Sequence, residues 1–134
     1  MKQTLCTTAA AITLALFLSA CASSKEKGIT SNYRTQWTSV NADVKATTSA
    51  AEAVLKEDEL KDVSASATNV DGKVTAKKAD GTKIHVDVRR EKEAKSEVSV
   101  TVGTIGDPTL GADLAKRIKE RAEGKASVTA TTRP

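Results

Sequence analysis

Apolar positions along the chain change their period twice. An unbroken run comes first, culminating in Ala9 to Leu18 (AAAITLALFL). From Tyr33 the apolar positions recur at spacings of four and three: Tyr33, Trp37, Val40, Val44, Thr47, Ala51 and Val54, with Leu55 beside the last. That spacing puts them on one helical face, so a helix is expected from about 32 to 57, with Asn32 or Ser31 placed to cap it. The opposite face carries Asp43, Lys45, Glu52 and Lys56, and the charged stretch KEDELKD closes the segment at 56–62.

From Val63 the period falls to two. Val63, Ala65 and Ala67 alternate with Ser64, Ser66 and Thr68, and Asp71-Gly72 follows. A two-residue turn at that pair would place Asn69 opposite Val74 and Ala67 opposite Ala76. At Ala79-Asp80-Gly81 a two-residue turn would set Ile84 against Lys77, on the wrong face. A three-residue loop with Gly81 at positive φ instead pairs Ala76 with Ile84 and Val74 with Val86, and the buried face decides for it. The charged stretch Arg89 to Lys95 leads into Val98, Val100 and Val102, with Arg89 opposite Glu97. Asp107 then reads as an N-cap with Pro108 at the first helical position. Leu110, Leu114 and Ile118 mark a buried stripe, and Lys116, Arg117, Lys119 and Arg121 load the far half with the charge that a helix C-terminus favours. Gly124 fits a stop, and 124–134 has no period and is expected to be a mobile tail.

These elements predict an α+β, two-layer sandwich: helix, four-stranded antiparallel meander, helix, with both helices on one sheet face. No internal repeat of twenty to fifty residues is visible.

The N-terminal run needs a different reading. Lys2 is the only charged side chain before Lys25, and the run is shorter than the roughly 20 residues a membrane span needs. A basic start, a short apolar run and then small residues make the layout of a secretory signal. The run ends in Leu18-Ser19-Ala20-Cys21, which closely resembles the bacterial lipoprotein signal. The resemblance implies cleavage before Cys21, a diacylglycerol on its sulfur and an acyl group on its new amine. Several acyl chains on one residue hold a protein stably where a single chain does not. Ala22 stands where an Asp would signal inner-membrane retention, so the pattern resembles that of outer-membrane lipoproteins facing the periplasm. The expected divisions are a signal peptide at 1–20, a polar tether at 21–30, a domain at 31–123 and the tail at 124–134.

Composition narrows the chemistry. With 134 residues the chain allows one domain. Its two cysteines, Cys6 and Cys21, both lie in the first 21 residues, so the domain has neither disulfide nor thiol nucleophile. A single histidine, His85, excludes a cluster of His and Cys metal ligands, and no cofactor is implied. Removing the signal lowers the net charge from +4 to +3 and leaves a thin core, since 16 of the 39 remaining apolar residues are alanine. That modest charge, the absence of aromatics on the strands and the exported location disfavour nucleic acid.

Four features bear on chemistry. His85 shares the wet sheet face with Lys83, Asp87 and Arg89, but no serine sits in a nucleophile setting and there is no cysteine for it to activate, so catalysis is not expected. Gly103-x-x-Gly106 before a helix lacks the remaining residues of both phosphate-loop patterns, and Asp107 would repel an anion; a tight strand-to-helix turn is the expected role. Lys73, Lys77, Lys78, Lys83, Arg89 and Arg90 could meet anionic lipid or cell-wall polymer. Acidic residues interleave with them, and a mixed solvated face is the default. Tyr33 and Trp37, on the apolar helical stripe, are expected to pack in the core rather than sit at a membrane interface.

Taken together, the N-terminal signal, the helix with its aromatics, the two Asp-Gly pairs and the motif Val102-Gly103-x-x-Gly106-Asp107 resemble an uncharacterised family of short bacterial lipoproteins. The resemblance covers about residues 5 to 122 and implies lipoprotein status and this fold, with no activity to transfer. The expected function is a lipid-anchored, non-catalytic binding or scaffold module whose partner is an envelope protein or cell-wall polymer. The alternative is a small ligand or lipid held in a groove between helices and sheet.

Overall fold

The computed structural model describes residues 28–131, with side chains described as far as residue 124. The expected signal peptide, Cys21 and the tether through residue 27 lie outside the described residues. The elements in order are β1 (Ile29–Ser31), β2 (Thr35–Val40), α1 (Val44–Glu57), β3 (Lys61–Ala67), β4 (Asp71–Lys77), β5 (Lys83–Lys92), β6 (Lys95–Val102) and α2 (Pro108–Thr131). The strands form one antiparallel sheet in the order β1-β2-β6-β5-β4-β3. Both helices cover the same face. α1 packs over β3, β4 and β5, and α2 packs over β1, β2 and β6.

The sheet therefore has six strands, not the four expected, although the α+β class stands. The error lies between residues 28 and 43, where the expected helix is two strands and a turn. Asn32 does cap, but it caps the β1–β2 turn: its Oδ1 accepts the amides of Arg34 at 2.9 Å and Thr35 at 2.8 Å. The helix starts only after Asp43, whose carboxylate accepts the Ala46 amide at 2.8 Å.

β2 is hard to see in the sequence because two of its three helix-facing positions are polar. Gln36, Thr38 and Val40 are all buried. Gln36 Nε2 donates to the Asn32 carbonyl and Thr38 Oγ1 to the Gly28 carbonyl, both at 2.9 Å, so neither is left unpaired. Tyr33 is 69% exposed at the β1–β2 turn, and Trp37 is half-buried on the sheet face away from the helices. Neither packs in the core as expected.

In the core, Val74, Ala76, Ile84, Val86, Val88, Val98, Val100 and Val102 from the sheet meet Val54, Leu55, Leu114 and Ile118 from the helices. Val86, Val98 and Val100 are fully buried in this layer. A buried polar link, Thr47 Oγ1 to Ser96 Oγ at 2.8 Å and Ser96 Oγ to the Ala42 carbonyl at 3.0 Å, fixes the start of α1 on β6.

The three-residue loop at 79–81 has the expected register: Val74 faces Val86 and Ala76 faces Ile84, with Gly81 at φ +87°. The preceding hairpin does not. Its turn lies at 68–70, Ala67 pairs with Gly72 rather than Ala76, and Ala65 and Ala67 are exposed on the edge strand. Gly72 serves packing instead. A Cβ there would overlap the Thr48 hydroxyl, so the glycine lets α1 approach β4. Asp107 caps α2 as expected, accepting the Leu110 amide at 3.0 Å. The helix continues past Gly124 to Thr131, so that glycine does not stop it.

Candidate functional site

With both helices on one face, the other face of the sheet is open. Successive residues of a strand alternate between faces, so the open face takes the odd-numbered positions of β2, β4, β5 and β6. One row of it can be followed across five strands through cross-strand partners: Thr35, Thr101, His85, Thr75 and Ser64. Thr35 and Thr101 are linked by their hydroxyls at 2.9 Å. The row beside it holds Trp37, Ser99, Asp87 and Lys73.

Where this face meets the loops after β4 and β6, a groove of about 750 Å³ opens. Arg34, Lys78, Lys83 and His85 line it together with Thr82, Thr101 and the segment 103–107. Two separate regions supply these basic side chains, the β1–β2 turn and the β4–β5 hairpin. The β1–β2 turn supplies Arg34, the loop after β4 supplies Lys78, and β5 supplies Lys83 and His85 two residues apart on one face. The groove's floor is held from below by Gly106. Its φ is +101°, and a Cβ would come within 2.6 Å of the Tyr33 carbonyl oxygen and 2.8 Å of the Arg34 Cα. No other residue fits both constraints, so the glycine seats the β6–α2 turn against the turn that carries Arg34. The motif Gly103-x-x-Gly106 thus makes the tight turn expected of it.

The basic residues on the open face divide by partner. Lys77 pairs with Asp62 at 2.9 Å and Lys73 reaches Asp87 at 3.9 Å. Lys78 lies 3.6 Å from Asp80. Arg34, Lys83 and His85 make no side-chain hydrogen bond or ion pair among the described residues. Arg90 donates to the Asn69 carbonyl at the other end of the sheet, and Arg89 lies opposite Glu97 as expected. Asp80 is held below the ordinary carboxylate range chiefly because it accepts the Thr82 amide, which also pins the loop at the groove's rim.

His85 and Asp87 share no hydrogen bond or ion pair among the described residues. His85 lies between Thr75 and Thr101 in the sheet, and the Asp87 carboxylate faces Lys73. Among the described residues no group of three or more His, Cys, Asp or Glu side chains is placed to hold a metal ion, and no helix is long and apolar enough to cross a membrane. Cys21 lies outside the described residues. Arg34 was missed from the sequence because it was assigned to a helix; the Asx-turn potential of Asn32 two residues earlier is the signal that would have located it.

The model of the family described as "Protein of unknown function (DUF3568)" matches residues 3–121. The chain belongs to the DUF3568 family. No curated protein matches it. For this DUF3568 protein, the match takes in the whole sheet, α1, most of α2 and the N-terminal segment containing Cys21.

Proposed function

We propose that this DUF3568 protein is a lipid-anchored cell-envelope protein, held in the outer membrane facing the periplasm, that works without catalysis as a binding or scaffold module. The observation that carries the reading is Leu18-Ser19-Ala20-Cys21 directly after an apolar run too short to span a membrane. The family match supports it, since it reaches back to residue 3 and includes that segment with the domain. Six residues separate Cys21 from Gly28, the first described residue, and the seven Cα–Cα steps reach about 25 Å at full extension. An anchor at Cys21 would therefore keep the domain close to the membrane. The non-catalytic half of the reading is supported by the environment of His85, whose cross-strand neighbours are Thr75 and Thr101 and which has no carboxylate partner among the described residues.

Metabolic labelling with a palmitate analogue, followed by membrane fractionation, tests the anchor. Label on the wild type and none on Cys21→Ser, with the variant released from the membrane fraction, is the expected result. Equal retention of an unlabelled Cys21→Ser protein would show that something other than acylation holds it.

A further inference from the structure

We propose that the groove of Arg34, Lys78, Lys83 and His85 is a binding site for a phosphate-bearing ligand. This would give the binding module its ligand, yet it rests on the groove's geometry and not on acylation at Cys21.

Convergence is the first argument. Basic side chains from two regions distant in sequence, the β1–β2 turn with Arg34 and the β4–β5 hairpin with Lys78, Lys83 and His85, line one groove, and the backbone that brings Arg34 there is fixed by the Asn32 turn and by Gly106. Arg34 offers a planar fork that matches two phosphate oxygens, Lys83 a compact charge and His85 a ring N–H. Partner availability is the second. Lys73 and Lys77, on the same face outside the groove, are matched by Asp87 and Asp62, whereas Arg34, Lys83 and His85 have no acidic partner among the described residues. The Lys78–Asp80 pair, at 3.6 Å with side chains 37% and 59% exposed, is a solvent-screened surface pair that leaves Lys78 available.

The groove's own acid is the natural objection. Asp107 is the one carboxylate among its lining residues. Its Oδ1 is already bound to the Leu110 amide at the N-terminus of α2, where the helix dipole offsets its charge. The groove thus keeps a net positive charge. Hydroxyls of Thr82, Thr101 and Thr104 add neutral donors around the bases, and Ile105, 75% exposed in the same segment, offers an apolar contact for whatever carries the phosphate. A volume of about 750 Å³ suits a small molecule or the head of a larger one. A phospholipid headgroup and a soluble phosphate ester share this chemistry.

Amide chemical-shift titration of the full chain with inorganic phosphate, against acetate at matched ionic strength, is the test. Saturable shifts confined to residues 34, 82–85 and 101–107 are expected for phosphate and not for acetate. The double variant Arg34→Ala/Lys83→Ala should weaken binding at least tenfold, while Lys92→Ala at the opposite end of β5 leaves it unchanged. Phosphatidylglycerol vesicles that displace phosphate, where phosphatidylcholine vesicles do not, would assign the headgroup; failure of both to displace it would assign a soluble ester. Linear shifts spread over the basic surface, equal shifts with acetate, or undiminished binding by the double variant would overturn the site. Cys21→Ser should titrate like the wild type, so loss of the anchor and loss of the groove are read separately.

Discussion

The guanidinium of Arg117 grips the carboxylate of Asp58 with two hydrogen bonds, Nη1 to Oδ2 at 2.9 Å and Nη2 to Oδ1 at 2.6 Å. Asp58 caps the C-terminus of α1 and Arg117 sits in the middle third of α2, so the fork fixes how the two helices lie on the sheet. Asp113 adds a third contact at 3.4 Å, and Arg121 pairs with Glu57 one turn on. The Asp58 contact raises the pKa of Arg117, so the charge is permanent. Both side chains are about one-third exposed, which keeps the energy modest despite good geometry. Arg117→Ala should lower stability by about 1 kcal/mol in urea denaturation, and a double-mutant cycle with Asp58→Ala should return a coupling of about 0.5–1 kcal/mol. Additive single effects would remove the fork from the account of the helix pair.

Just beyond that cap, Glu59 holds φ at +54°. The Leu60 amide bonds back to the Leu55 carbonyl at 3.3 Å and the Glu59 amide to Lys56 at 3.1 Å, a helix ending that glycine prefers. A left-handed L residue costs about 1–2 kcal/mol, and glycine gives back roughly half of the relief through its greater freedom when unfolded. Glu59→Gly should therefore stabilise the fold by about 0.5 kcal/mol, whereas Glu57→Gly, inside α1, should destabilise it by about 1 kcal/mol. Destabilisation by Glu59→Gly in thermal melts would contradict this ending.

The parts of the fold that can be read from sequence are those where burial and local chemistry agree. Asp107-Pro108 starts α2 because cap and first turn need nothing from the rest of the chain. β5 and β6 alternate fully, with Ile84, Val86, Val88, Val98, Val100 and Val102 all inward. Their register with β4 follows from the buried face. The first two strands fail the same test. Gln36 and Thr38 are inward, and what makes them tolerable there is bonding to the carbonyls of Asn32 and Gly28, which no pattern of apolar positions encodes. Tyr33, Trp37 and Val40 happen to recur at helical spacing, so the pattern pointed to the wrong period. The groove inherited that error. Lys78, Lys83 and His85 were visible as basic or titratable residues, but they converge with Arg34 only once residues 29–40 form strands.

Two exposed carboxylates give the protein an acid-sensitive component. Asp62 is held below its ordinary value of 3.8 mainly by its hydrogen bond from Lys77, and Asp80 mainly by the Thr82 amide. A carboxyl whose pKa is lower in the folded state stabilises the fold above its unfolded value, and the contribution is lost as pH falls through the folded value. Melting temperature measured from pH 6 to pH 2 should therefore fall below about pH 4. Asp62→Asn and Asp80→Asn should each flatten that fall while altering the melting temperature less at pH 2 than at pH 6. An unchanged acid limb in both variants would show that other carboxylates set it.

Gly72 marks a close approach of α1 to the sheet, and its substitution separates packing from turn formation. Were it a hairpin residue, alanine would act through backbone strain and no distant change would relieve it. It lies within β4, opposite Ala67 and Val88, without a left-handed φ, and an added Cβ meets the side chain of Thr48. Overpacking of this kind costs about 1–3 kcal/mol, which sets the expected effect of Gly72→Ala. Thr48→Ala alone removes a hydroxyl that, among the described residues, bonds to the Val44 carbonyl within its own helix, so its effect should be smaller. Combined, the two should be less destabilising than their sum by at least 1 kcal/mol, because the atom that clashes is gone. Part of the strain should remain, since the new Cβ would still lie 3.2 Å from the Cβ at position 48. Simple additivity in urea denaturation would mean that α1 does not press on β4 at this point, and that Gly72 is needed for another reason.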